Sequence, residues 1–196
     1  MNYLAHIYLS YDKDEIMIGN FIADAIKGSK YKTFPPEIQK GILLHRNIDT
    51  FTDQHEIVRQ SKRRLHERYN HFSGIIIDLF YDHFLAKYWS EYSNTDLFLY
   101  TKKFYDLLDD RFDELPENIK HIVPSLKKYN WLYNYRSFEG MQDVLNGMNR
   151  RTGNISNMHL AIEDLRENYA LFHNDFKLFF DDIIDFVNQK NIELKI

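Results

Sequence analysis

The chain has 196 residues, a length that suits one domain with a substantial core. Its net charge of −4 argues against wholesale nucleic-acid binding, which ordinarily shows as a basic domain. There is no cysteine, which excludes disulfides, thiolate zinc sites, iron–sulfur clusters and cysteine nucleophiles.

The opening MNYLAHIYLSYDKDE lacks the cationic start and long apolar run of a secretory signal. No stretch approaches the ~18 apolar residues of a membrane span. The cytoplasm is the expected compartment, with neither membrane nor nucleic acid as a partner. Residues 2–10 read as a short helix or turn. Apolar spacing of three and four then predicts helices over about 14–27, 37–53, 56–69, 73–91, 95–108, 117–129, 137–149 and 157–189, the last breaking near His173–Asn174. Pro35-Pro36 can open a helix, where the missing N–H is not needed. Ser73 can cap the helix that follows it. Leu115-Pro116 and Val123-Pro124 mark turns or kinks, and Thr152-Gly153-Asn154 a loop. No alternating β-branched run supports a sheet. The expected fold is an all-α, single-domain helical bundle over residues 1–196, with the chemistry in 1–90 and the helices of 91–196 completing the bundle. The 14 Tyr and 15 Phe read as aromatic core, the Trp131 cluster with Tyr129, Tyr133 and Tyr135 included.

The chemistry-bearing residues of the first half fall in pairs four apart: Asn20 and Asp24, His45 and Asp49, Asp78 and Asp82. That spacing puts two side chains on one helix face, one turn apart. Three such pairs set in apolar sequence, with His6 upstream, could converge on a divalent cation in a bundle interior, because buried carboxylates without a partner are too costly to persist. Imidazole with carboxylate suits manganese, magnesium, iron(II) or zinc, the hard oxygens favouring manganese or magnesium. His83, following Asp82, is a candidate acid or base because its ordinary pKa lies near neutrality. A second feature is VRQSKRRLHER, where Arg59, Lys62, Arg63 and Arg64 make a basic helix face. It reads either as a solvated face or as a dock for an acidic partner.

Four blocks in order, MNYLAHIYLS, GNFIADAIKG, GILLHRNIDTFTDQH and GIIIDLFYDHFLAKYW, resemble the acyl carrier protein phosphodiesterase family from Met1 to about Trp89. The resemblance implies a helical fold like that of HD-type phosphohydrolases. It implies a metal-dependent phosphodiesterase that releases 4′-phosphopantetheine from holo-acyl carrier protein, with manganese the usual cation and magnesium or iron(II) possible. It carries over onto His6, Asn20, Asp24, His45, Arg46, Asp49, Asp53, His55, Asp78, Asp82 and His83. The implied metal ligands are His6, Asp24, His45, Asp49, Asp78 and Asp82. Arg46 would stabilise phosphoryl charge, and His83 with Asp82 would protonate the leaving serine oxygen or orient water. The chain has no contiguous His-Asp doublet, only the reversed Asp82-His83, so ligands do not transfer directly from HD enzymes. Because acyl carrier proteins are acidic, Arg59, Lys62, Arg63 and Arg64 become candidates for orienting the carrier. The rival readings are a similar hydrolase for another phosphodiester or a nucleotide, and a non-catalytic carrier-binding module.

Overall fold

In the computed structural model, which describes residues 1–196, local sequence signals set most helix ends and side-chain competition moves the rest. The order is α1 (Tyr3–Tyr8), α2 (Asp14–Ile22), α3 (Pro36–Gln54), α4 (Glu56–Tyr69), α5 (Ser73–Lys87), α6 (Leu97–Asp110), α7 (Glu117–Lys120), α8 (Val123–Lys128), α9 (Trp131–Asn134), α10 (Phe138–Arg151), α11 (Ala161–Glu167) and α12 (Tyr169–Leu194), with short 3₁₀ turns between and no strand. Pro36 stands in the first turn of α3, where its missing N–H costs nothing. Asp96 caps α6 by accepting from the Phe98 and Leu99 N–H groups.

Several boundaries differ from the periodicity. The helix expected to reach 27 ends at Ile22 and tightens into a 3₁₀ turn, Ala23–Ala25. A second 3₁₀ segment, Gly28–Thr33, starts at a glycine with φ +57°, a value few side-chain-bearing residues adopt. Ser73 does not cap α5. It is the first helical residue, and its hydroxyl donates back to the Asn70 carbonyl. The expected helix over 117–129 is split into α7 and α8, with Pro124 in the first turn of the second. The C-terminal break falls at Asn168, not His173–Asn174. The Asn168 amide turns onto the Asp164 carbonyl, the local competition that makes Asn a helix-breaker.

The apolar faces meet in one cluster of 50 buried residues. Helix α12 packs against α3, α4 and α5. Its Phe172, Phe176 and Phe179 meet Phe80, Tyr81 and Phe84 of α5 at ring separations of 5.2–5.8 Å. Tyr135 is also fully buried, so part of the Trp131 segment is core. No helix is long and apolar enough to cross a membrane.

Helices α2 and α3 approach more closely than side chains normally allow. A Cβ on Gly19 would stand 2.3 Å from the Ile38 carbonyl oxygen, and one on Gly41 2.4 Å from that of Ile16. Both obstacles are backbone and cannot rotate away. Gly41→Ala must therefore drive the two helices apart. The expected loss is about 3 kcal/mol, the upper end for overpacking, and urea unfolding of the variant measures it. A loss within experimental error would refute the close crossing.

Candidate active site

The crossing of α2 and α3 sets Asn20 beside His45. The Asn20 amide nitrogen donates to the His6 carbonyl at 2.8 Å and to the Ser10 hydroxyl at 3.0 Å. Its oxygen is thereby aimed at His45 Nδ1, 3.1 Å away, so Nδ1 carries a proton. His45 Nε2 faces the carboxylates of Asp24 at 3.2 Å and Asp49 at 3.1 Å. His6, from α1, stacks on His45 with ring centroids 4.0 Å apart. One ligand atom each of His6, His45 and Asp49 lies within 4.8 Å of the others. Asp49 Oδ1 stands 3.3 Å from His6 Nε2, without hydrogen-bond alignment. Both nitrogens of His6 are thus left without a hydrogen-bond partner although the residue is only 3% exposed. Orphaned buried polar atoms are expensive. A cation between His6, His45 and Asp49 would take one of the His6 nitrogens, so the residues present fit the implied metal. Two imidazoles and a carboxylate suit manganese, iron(II) or zinc. Asp24, with its side chain 74% exposed, stands at the solvent rim.

The other sequence-derived candidates lie elsewhere. Asp78 and Asp82 do share a face of α5, but what they reach is the N-terminal backbone. Asp82 accepts from the Leu4 and Ala5 N–H groups at 2.8 and 3.1 Å, and Asp78 stands 3.0 Å from the Met1 amino group. They anchor α1, which carries His6, and do not touch the imidazole cluster. His83 is buried with Nδ1 on the Tyr135 carbonyl at 2.7 Å and Nε2 on the Tyr169 hydroxyl at 3.1 Å, so neither nitrogen is free for a substrate. Arg46 Nη2 donates to the carbonyls of Ile26 and Gly28, and the guanidinium lies over Tyr31. It orders the segment after Asp24. Asp53 pairs with Lys62, and His55 with Asp182. On α4 every cationic candidate has an internal partner: Arg59 the Asp53 carbonyl, Lys62 Asp53, Arg63 Glu56 and Arg64 the buried Asp175.

Two residues far apart in sequence, Tyr3 and Arg151, are brought near one another. The Tyr3 ring packs on Phe21 at 5.0 Å, and burial with the field of Asp24 raises its hydroxyl pKa, a rise that the Arg151 charge opposes. Arg151 has no carboxylate partner. Nothing in the sequence joins the end of α10 to residues near the start of the chain.

The family model described as acyl carrier protein phosphodiesterase matches residues 1–183. The chain belongs to the acyl carrier protein phosphodiesterase family. It is 30% identical to the acyl carrier protein phosphodiesterase of Shigella boydii serotype 18, over 92% of this chain and 94% of the relative. It is 28% identical to those of Photorhabdus laumondii and Escherichia coli O6:H1, over 97% of this chain and 97% and 99% of theirs. No solved structure matches. Membership of the acyl carrier protein phosphodiesterase family makes the chain a hydrolase acting on a phosphodiester.

The charges of the cluster fit that chemistry. Burial and the neighbouring His45 lower His6 to about 4, so it is neutral at pH 7. Burial would also lower His45, but hydrogen bonds to Asp24 and Asp49 outweigh it and raise it to about 9. Burial would raise the Asp49 carboxyl, yet the two histidines hold it well below the usual carboxylate range. The stacked rings carry one positive charge between them, and it resides on His45. Without a cation, His45 is therefore a protonated link between two carboxylates. Its folded pKa exceeds the ordinary 6.5, so its stabilisation is complete below about pH 6.5 and is lost as the pH rises through 9. In urea unfolding with chelator present, the stability gap between wild type and His45→Gln should narrow from about pH 6.5 to about pH 10. The upper bound is about 3 kcal/mol, at roughly 1.4 kcal/mol per pH unit. A gap that does not move with pH would remove the charged His45.

Proposed function

We propose that this protein hydrolyses the phosphodiester joining 4′-phosphopantetheine to its serine in holo-acyl carrier protein, using a divalent cation held by His6, His45 and Asp49. The observation that carries the reading is the unpartnered, buried His6 stacked on His45 beside Asp49 in a chain of this family. When bound, manganese, or alternatively magnesium or iron(II), supplies Lewis acidity toward a phosphoryl oxygen and lowers the pKa of water. Asn20 fixes the His45 tautomer and so keeps Nε2 turned toward the carboxylates. Asp82 and Asp78 hold α1, and with it His6, against α5. Asp24, ionised and solvent-facing, orients the attacking water. Water adds to phosphorus, the bond from phosphorus to the serine oxygen breaks, and a proton from the water ends on that oxygen.

Arg46 is turned to backbone carbonyls, which leaves Arg151 with the Tyr3 hydroxyl to hold the phosphoryl oxygens in this reading. The paired His45 and Asp49 on one helix, with a histidine from another, support an HD-like phosphohydrolase arrangement in which the His and Asp are spaced by a turn. A cytoplasmic setting and a place in fatty-acid metabolism belong to the same reading.

Mass spectrometry of holo-acyl carrier protein incubated with the protein and Mn²⁺ tests it. Wild type should remove the phosphopantetheine mass, and His45→Ala and Asp24→Ala should not. No loss with Mn²⁺, Mg²⁺, Fe²⁺ or Zn²⁺ would move the reading to another phosphodiester. Arg151→Gln should lower kcat/KM by about 10²-fold, the scale of one lost charge-stabilising donor, with the unfolding midpoint unchanged. Unaltered kcat/KM would remove Arg151 from the site.

A further inference from the structure

Between Asp24 and Glu37 the chain carries no acidic residue and three lysines, Lys27, Lys30 and Lys32. All three are exposed. None of their ammonium groups forms an ion pair, in contrast to Lys62, Arg63, Arg64 and Arg68 of α4. The segment that bears them buries no side chain fully, although Ile26, Tyr31 and Phe34 beside the lysines pack partly against the core. Its backbone is held as well. Arg46 donates to the Ile26 and Gly28 carbonyls at 2.9 Å each and covers the Tyr31 ring at 5.1 Å. Gln39 donates to the Phe34 carbonyl at 2.7 Å and the Lys32 carbonyl at 3.3 Å, and Thr33 to that of Lys30 at 2.9 Å. Every one of these bonds comes from the segment itself or from α3, the helix that also carries His45 and Asp49. The free lysines thus sit on a ledge tied to the imidazole cluster, and Lys27 is three positions from Asp24 at the cluster's rim.

We propose that Lys27, Lys30 and Lys32 are the docking surface for the acidic face of the carrier protein. The proposal rests on the carrier-hydrolase reading and deepens it. A net acidic protein that must receive an acidic partner needs a local region of opposite sign to steer and orient it. On α4 that charge is already matched internally: Lys62 and Arg63 face carboxylates, and Arg64 is bound to Asp175. A partner there would have to displace those carboxylates. On the ledge the ammonium groups are exposed and unopposed by any carboxylate, and the ledge begins three positions from Asp24 at the rim of the cluster. Three positive charges within six residues can meet a carboxylate-rich surface without rearranging the host.

The test is binding of apo-acyl carrier protein, which lacks the phosphodiester and is not turned over, by titration calorimetry at low ionic strength. The Lys27→Glu/Lys30→Glu/Lys32→Glu variant should raise Kd at least tenfold, and wild-type binding should weaken steeply with salt. Arg63→Glu should leave Kd within about twofold, since that side chain already pairs with Glu56. If the charge-reversed variant melts early, the neutral Lys27→Gln/Lys30→Gln/Lys32→Gln variant replaces it, with at least a threefold rise expected. An unchanged Kd in a folded variant overturns the proposal. A rise with Arg63→Glu alone overturns it in favour of α4. If wild type hydrolyses holo-carrier and the lysine variants bind like wild type, the docking surface falls and the hydrolase reading stands. If wild type neither binds nor hydrolyses the carrier, the reading itself falls and takes the docking surface with it.

Discussion

The close crossing of α2 and α3 is the constraint on which the rest of the site depends. Glycine at positions 19 and 41 removes the two Cβ atoms that would otherwise meet opposing backbone. The backbones can then approach until the Asn20 amide reaches His45 Nδ1 and Asp24 reaches His45 Nε2. A hydrogen bond of about 3 Å tolerates only a few tenths of an ångström of misplacement before it weakens. The packing of two small residues is therefore converted into the tautomer and aim of an imidazole. This is why the polar cluster belongs to the helix pair as a unit and not to any one helix.

Burying so many ionisable groups in an apolar bundle requires a partner for each. The fold supplies these partners in two ways. Asp82, wholly buried, accepts from two main-chain N–H groups, and although burial still raises its pKa to about 7, those bonds oppose the rise. Asp175 is matched by Arg64 and Ser61. These groups are satisfied within the chain and hold elements together. His6 differs from them, because its ring is buried with both nitrogens lacking a hydrogen-bond partner. The contrast separates the polar residues that fasten helices from those arranged to receive something else.

The same contrast recurs on the surface. The basic stretch on α4 stands out in the sequence, yet its Lys62, Arg63 and Arg64 are paired with Asp53, Glu56 and Asp175. The sparser lysines at 27, 30 and 32 keep their charge available, because no acidic residue folds against them. Density of like charge along a chain is thus a poor guide to the potential a partner meets. What counts is which carboxylates the fold brings alongside.

Much of this protein was legible in the sequence. Apolar periodicity specified an all-helical chain and located α3 to α6 and α10 to within a few residues, since burial of one helix face is a local, repeating requirement. Spacing of four identified His45/Asp49 as a pair on a shared face, although Asp24 falls in the 3₁₀ turn beyond Asn20's helix, and the four ordered blocks pointed to the family. Spacing states which side chains share a face, but not what that face meets. Asp78 and Asp82 share one as neatly as His45 and Asp49 do, and only the position of α1 decides that they grip backbone. The doublet Asp82-His83 points its two members to different helices, since adjacent residues lie about 100° apart around a helix axis. Arg46 faces the Ile26 and Gly28 carbonyls instead of the cluster for the same reason. Whether a guanidinium faces a carbonyl, a carboxylate or an open cluster depends on chain segments far apart in sequence. Local periodicity was therefore the sequence's to determine, while the pairing of charges and the assembly of the site were decided by long-range packing.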